Sequence, residues 1–211
     1  MSDAEPVPGP SAGRPARDGG LAAALRQGVE AAPSARRAEL LELAYGYALD
    51  HGLAELSLRP LAAAIGSSPR VLLFLFGSKD GLVRALLARA RADELSMLEG
   101  LRAGTLADVA ARIWSWGVDP RHRPLLVLWA EGYVRSLTEP DGPWASFAQS
   151  TVDDWLAVLA AAQPAAVRQT QAGRAQATQV LAVLRGAILD LIATGDTRRL
   201  TAAVTAYLRT L

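Results

Sequence analysis

An all-α fold, with an N-terminal three-helix helix-turn-helix head ahead of a longer helical bundle and about nine helices in total, is what three observations predict. From Ser34 onward apolar residues recur at steps of three and four, and no alternating β-branched run reads as a strand. Successive helical stretches close at glycine or proline and reopen at serine, threonine or aspartate, the residues that end and cap helices. At 211 residues, 51% of them hydrophobic and 20% charged, the chain can bury a sizeable core.

Residues 1–33 are expected to be a disordered tail and linker. Pro6, Pro8, Pro10 and Pro15 alternate there with Gly9, Gly13, Gly19 and Gly20, so ordering the first twenty residues would cost entropy with little burial to offset it. Residues 21–32 read as a short helix or more linker, closed by Pro33. Ser34 is expected to cap the first helix, which buries Leu40, Leu41, Ala44 and Ala48 and stops at Gly52. Ser57 caps a second, short helix that tolerates Pro60 in its first turn and ends at Gly66. Ser68 then caps a third with Pro69 at its first position, running through Val71–Phe76 to Gly77. Two short helices split by Gly66-Ser67-Ser68 behind a longer support are the spacing of a helix-turn-helix.

Ser78 opens a long fourth helix broken at Gly104, and Thr105 with Asp108 forms a capping-box start for a fifth. Pro124–Leu137 and Pro143–Ala162 supply two more. Beyond Pro164 a long helix carries Val180, Leu181, Leu184, Ile188 and Leu191, and after Gly195 a last helix carries Leu200, Val204 and Leu208. The two C-terminal stripes, with small residues Ala182, Gly186 and Ala187, are expected to form a homodimer interface across a two-fold axis.

Composition removes several kinds of chemistry. There is no cysteine, and His51 and His122 are the only histidines, so thiolate sites and three-histidine zinc centres are excluded; no metal and no cofactor are expected. The start of the chain has early acids and prolines where a signal peptide has a basic and then an apolar stretch, and the longest large-apolar run is six residues. A cytoplasmic protein with no membrane partner is expected. Net charge is +1, so a polyanion would have to meet a local patch. No dinucleotide fingerprint, phosphate loop or metal-ligand pair at helical spacing is found, which argues against an enzyme.

Over residues 37–87 the chain resembles the TetR-type (tetracycline-repressor-like) transcriptional regulators. The resemblance is carried by the Leu41-Ala44-Gly52 spacing, Leu61-Ala62, Gly66-Ser67-Ser68, and above all Phe76-Gly77-Ser78-Lys79-Asp80 with Leu82. It implies a dimer with a DNA-binding head at 34–82 and a ligand-binding and dimerisation domain at 83–211, matched there only by helix number and length. It also implies a tyrosine and often a histidine in the third helix, where this chain has Leu73 and Leu75.

In that context Arg70 lies where recognition-helix side chains reach base edges, and Leu73 is placed to touch thymine methyls. Ser57 and Ser68 offer hydroxyls and helix N-terminal amides suited to phosphate, as ordinary caps also do. Arg59 is a further basic group. Lys79 opens a helix against the dipole, which a phosphate partner would explain. Residues 34–84 hold six basic and five acidic residues, so one head would grip DNA weakly and two would be needed. Trp114, Trp129, Tyr133, Phe147 and Trp155 are the candidate ligand-binding residues, although aromatic rings suit a core equally well. Glu131 either orients a ligand or pairs with Arg135. His51 reads as a helix-end or surface group, and His122 as a solvated loop residue. The expected function is a ligand-responsive repressor that leaves a double-stranded DNA operator when a small hydrophobic or aromatic effector binds. The alternative is a dimeric ligand-binding or scaffolding protein whose head has lost DNA affinity.

Overall fold

The computed structural model describes residues 18–211 apart from 55 and 102, with side chains from residue 35 onward. Two compact units divide between Ala38 and Glu39. What is described of the first is helix. α1 (Asp18–His51) runs unbroken through Pro33 and Ser34, so Ser34 is an interior residue and not the cap its sequence context suggests. Alanines at 31, 32, 35 and 38 favour helix strongly enough to carry it past the proline, at the loss of one ladder hydrogen bond. The expected tail at residues 1–17 lies outside the described residues.

The second unit is all helical among the described residues. It comprises the rest of α1, then α2 (Leu58–Ala64), α3 (Pro69–Phe76), α4 (Lys79–Gly100), α5 (Leu106–Gly117), α6 (Arg123–Thr138), α7 (Phe147–Ala161), α8 (Ala165–Arg168), α9 (Gln171–Thr194) and α10 (Thr197–Leu208). A 3-10 turn, Pro120–His122, precedes α6. Among the described residues there are ten α-helices where periodicity gives nine, because Pro164 starts the separate short α8 and Thr170 caps α9 anew, accepting from the Gly173 N–H. Pro143 and Trp144 precede α7 instead of opening it.

The caps explain the head. Ser68 accepts from the Val71 N–H, with Pro69 at the first helical position, and Ser78 accepts from the Gly81 N–H at 2.9 Å. Ser57 stands at the α2 N-cap with extended backbone, but its hydroxyl makes no cap bond. Gly77 turns the chain at φ 78°, in the left-handed region, and α2 and α3 cross at 103°, within the range of a helix-turn-helix. The next corner is tighter: a Cβ on Gly81 would stand 2.0 Å from the Phe76 carbonyl oxygen, so only glycine fits.

Two cores fill this unit. In the first, Leu40, Ala44, Leu53, Leu61, Leu72 and Phe76 pack on the front of α4 through Leu82, Val83 and Leu86, with Leu128, Trp129, Trp144 and Phe147 completing it. The second gathers Leu98 of α4 with α5, α7, α9 and α10 around Val109, Ile113, Leu159 and Leu184. α4 belongs to both. At 24 residues α9 is long and apolar enough to cross a membrane by length and composition alone. Its Val180, Leu181, Leu184, Ile188 and Leu191 are nevertheless buried in the second core, the setting of a core helix of a folded bundle.

Candidate functional site

On the head, the phase of α3 decides what reaches solvent. Leu72 and Phe76, one turn apart, are buried, while Arg70 and Val71 are exposed, Leu73 is 41% exposed and Phe74 79%. Leu75 is half-buried against the first core. Arg59 on α2 and Lys79 at the start of α4 are exposed, as is Ser57; Ser68 is half-buried and its hydroxyl is occupied by the cap. The surface offered by α3 is therefore an arginine beside an apolar patch, and Phe74 is a more prominent part of it than Leu73.

In the body, a narrow cleft with a cavity volume of about 30 Å³, partly open to solvent, lies among α4, α5, α6, α7 and α9. Trp116, Trp129, Phe147 and Trp155 form aromatic walls, with Leu125, Leu126, Met97 and Ile188 between them. Three of the expected ligand residues thus come together at one cleft. Tyr133 sits behind Trp129, ring centroids 5.2 Å apart, and its hydroxyl accepts from Arg185 Nη1 at 3.1 Å.

Trp114 does not join them. It is buried between α5 and α10, where its indole N–H donates to the Thr201 hydroxyl at 3.1 Å, and it does not line the cleft. The helical phase puts Trp116, two residues on, at the cleft in its place. His122 is likewise no solvated loop residue: it stacks on Trp116 with ring centroids 4.0 Å apart, and its Nδ1 lies 2.8 Å from the Trp116 carbonyl oxygen. His51 stacks on Tyr47 at the end of α1, close to its expected place. Glu131 does not pair with Arg135. It accepts from the Leu53 N–H, and Arg135 pairs with Glu139.

Two cleft residues carry no sequence signal. Glu94 of α4 is 7% exposed and accepts from the Trp155 indole N–H; burial pushes its carboxyl up to about 7 from an ordinary 4.5, with Asp154 adding to the rise and Trp155, Arg185 and Arg91 opposing it. Arg185 of α9 lies over the Tyr133 and Trp129 rings, 4.8 and 5.5 Å from their centroids. In the turns just ahead of Glu94, α4 is anchored by charge. Arg91 grips Asp154 of α7 through two hydrogen bonds, at 2.7 and 3.0 Å. Arg89 donates to Glu42 of α1 at 2.7 Å and pairs with Asp93, which accepts from the Tyr45 hydroxyl at 2.9 Å. Among the described residues no group of three or more side chains is placed to hold a metal ion.

No family model matches the sequence, and no curated protein matches it. Solved structures do match the fold. A transcriptional regulator from Rhodococcus sp. RHA1 is 22% identical with a TM-score of 0.70, the alignment covering 82% of this chain and 94% of the relative. A Rhodococcus protein assigned to the TetR family of transcriptional regulators is 20% identical with a TM-score of 0.61, covering 82% and 98%. The multidrug binding protein EbrR, solved with imidazole, is 23% identical with a TM-score of 0.58, covering 81% and 88%. An all-helical chain with this head and this bundle has the fold of solved TetR-family transcriptional regulators.

Proposed function

We propose that the chain is a ligand-responsive DNA-binding transcriptional regulator: a cytoplasmic homodimer that represses from a double-stranded DNA operator and is released by a small hydrophobic or aromatic molecule. The observation that carries this reading is the pairing of an outward-facing helix-turn-helix with an aromatic cleft whose acid, Glu94, stands on the same helix that supports the head. Residues 34–82 are the DNA-binding head and 83–211 the ligand-binding and dimerisation body. Arg70 reads base edges, Leu73 and Phe74 meet thymine methyls, and Arg59, Lys79, Ser57 and the Ser68 amides hold phosphates. Trp129, Phe147, Trp155 and Trp116 enclose the effector, with Tyr133 supporting. A multidrug-binding relative of the same fold, solved with imidazole, supports a small-molecule role for the body. No catalysis is assigned.

The mechanism is differential binding. α4 enters the head core through Leu82, Val83 and Leu86 and reaches the cleft at Glu94, so an effector that fits one setting of α4 better than another shifts the spacing of the two recognition helices. The test is selection of genomic fragments by the purified protein, followed by a salt titration on the best fragment. Sequence preference, a steep loss of affinity with salt and release by an aromatic ligand are expected. Equal binding to selected and random fragments would overturn the reading.

One observation favours a second reading. Phe74 and Leu73 present an apolar α3 surface where phosphate-binding side chains would be useful. A dimeric helical ligand-binding or scaffolding protein with a head that has lost DNA affinity fits that surface, and the same salt titration separates the two.

A further inference from the structure

The polar atoms left unpaired around the cleft have a definite character. Trp129 Nε1, Arg185 Nη2 and Glu94 Oε2 are buried, belong to residues lining the cleft and have no hydrogen-bond partner. Two of the three are donors, and they sit on side chains in contact, the guanidinium lying over the indole. Such groups are costly to leave unmade, which makes a complementary acceptor valuable. Arg185 brings a fixed positive charge: its hydrogen-bond partner is the neutral Tyr133 hydroxyl, and among the described residues no carboxylate forms an ion pair with it. The third atom belongs to an acid whose other oxygen is occupied by the Trp155 indole.

We propose that the effector is an aromatic or fused-ring anion, a carboxylate for preference, whose charged oxygens are held by Arg185 Nη2 and Trp129 Nε1 while its apolar body lies among Trp116, Phe147 and Trp155. This rests on the reading of the cleft as the effector site. A cation would meet Arg185 as a like charge, and the faces of Trp129 and Tyr133 that would suit a cation are already covered by that guanidinium. A planar carboxylate matches the guanidinium fork.

Glu94 then acts as a proton-linked partner. The groups around it are Asp154 and Trp155 from α7, Arg185 from α9, Arg91 on its own helix, Trp129 from α6 with Tyr133 behind it, and from α5 Trp116 with His122 stacked on it. An anion in the cleft favours neutral Glu94, whose hydroxyl can donate to it. Binding near neutral pH therefore takes up a proton, and affinity falls as pH rises through about 7.

The experiment is calorimetric titration of the full chain with three matched probes: 1-naphthoate, 1-naphthalenemethanol and 1-naphthylmethylammonium. The anion is expected to bind about tenfold or more tighter than the alcohol, with the cation weakest. Arg185→Gln should remove the anion's advantage while moving the alcohol by less than about threefold. Glu94→Gln should flatten the pH dependence of naphthoate binding between pH 6 and 8 and abolish the proton uptake seen on changing buffer. Equal affinities for the three probes, or a preference for the cation, would overturn the anion proposal and leave the cleft as an effector site. If no probe binds, the effector-site reading fails with it. The probe series on the unmodified protein decides the matter even if a variant does not fold.

Discussion

Glu131 on α6 accepts the backbone N–H of Leu53 at 2.8 Å, tying the helix that carries Trp129 and Tyr133 to the loop after α1. Leu53 is buried, and Gly52 beside it has φ 79° with its Cβ position 3.2 Å from the same carboxylate oxygen, so the loop is fitted closely to the acid. Glu131→Ala leaves that N–H without its partner and should cost about 1–3 kcal/mol in urea unfolding. An unchanged midpoint would show that water replaces the carboxylate freely.

Trp114 and Trp129 should separate cleanly. Trp129→Ala is expected to weaken 1-naphthoate binding. Thr201→Val, which removes the acceptor of the Trp114 indole, should lower stability by about 1 kcal/mol and leave ligand affinity unaltered. A loss of ligand affinity in Thr201→Val would return Trp114 to the binding set.

The sequence made the head legible because its signals are local. Ser68-Pro69 and Gly77-Ser78 announce their turns through the chemistry of one or two residues, and the 3.6-residue period picks out Leu72 and Phe76 as the core pair. The cleft was only half legible. Periodicity says that Trp114 and Trp116 lie on different sides of α5, not which side faces α6 and α9. Glu94, beside Asp93 and three residues from Arg91, reads as a surface acid until α7 brings Trp155 over it. Arg185 is likewise one of three charges on α9, and its meaning depends on Tyr133, far away in the chain. Pro33 misled for another reason: a proline is a strong local stop, and here the surrounding alanines outweigh it.

Glu94 makes stability depend on pH. Its carboxyl is raised from 4.5 to about 7 by burial, so the folded state holds a proton that the unfolded state releases across that window. The stabilising contribution of the neutral form is complete below about 4.5 and is lost as pH rises through about 7, on the order of 3 kcal/mol in total. Glu94→Gln should thus gain stability relative to the parent between pH 5 and pH 8, measured by urea unfolding at both. A difference that does not change with pH would count against a titrating Glu94.

On DNA, Lys79→Ala is expected to weaken binding to all sequences alike and reduce the salt slope by about 1, as loss of one phosphate contact does. Arg70→Ala should instead erase preference for the selected fragment over random DNA. Equal losses for Arg70→Ala on both would reassign it to the backbone.

The dimer proposal needs a different probe from the apolar stripe. Leu184 is fully buried within the protomer's second core, so a charge there would unfold the chain and say nothing about assembly. The outward side of α9 holds Ala182, Gly186 and Leu189, and a Cβ on Gly186 meets open space. Gly186→Arg should give a folded monomer by light scattering, against a parent that is dimeric at micromolar concentration. A monomeric parent, or a variant that stays dimeric, would move the interface elsewhere.

The corner at Gly81 makes α3 and α4 a single crank. With the Phe76 carbonyl pressed against a position that cannot hold even a methyl group, any side chain at residue 81 would force the end of α3 away from the start of α4. In the proposed mechanism, a roll of α4 about its own axis would pass through that elbow as a sweep of α3, with Phe74 and Arg70 travelling at its rim. Such gearing would turn a small rotation at the proposed effector cleft into a change of reach at the far end of the head.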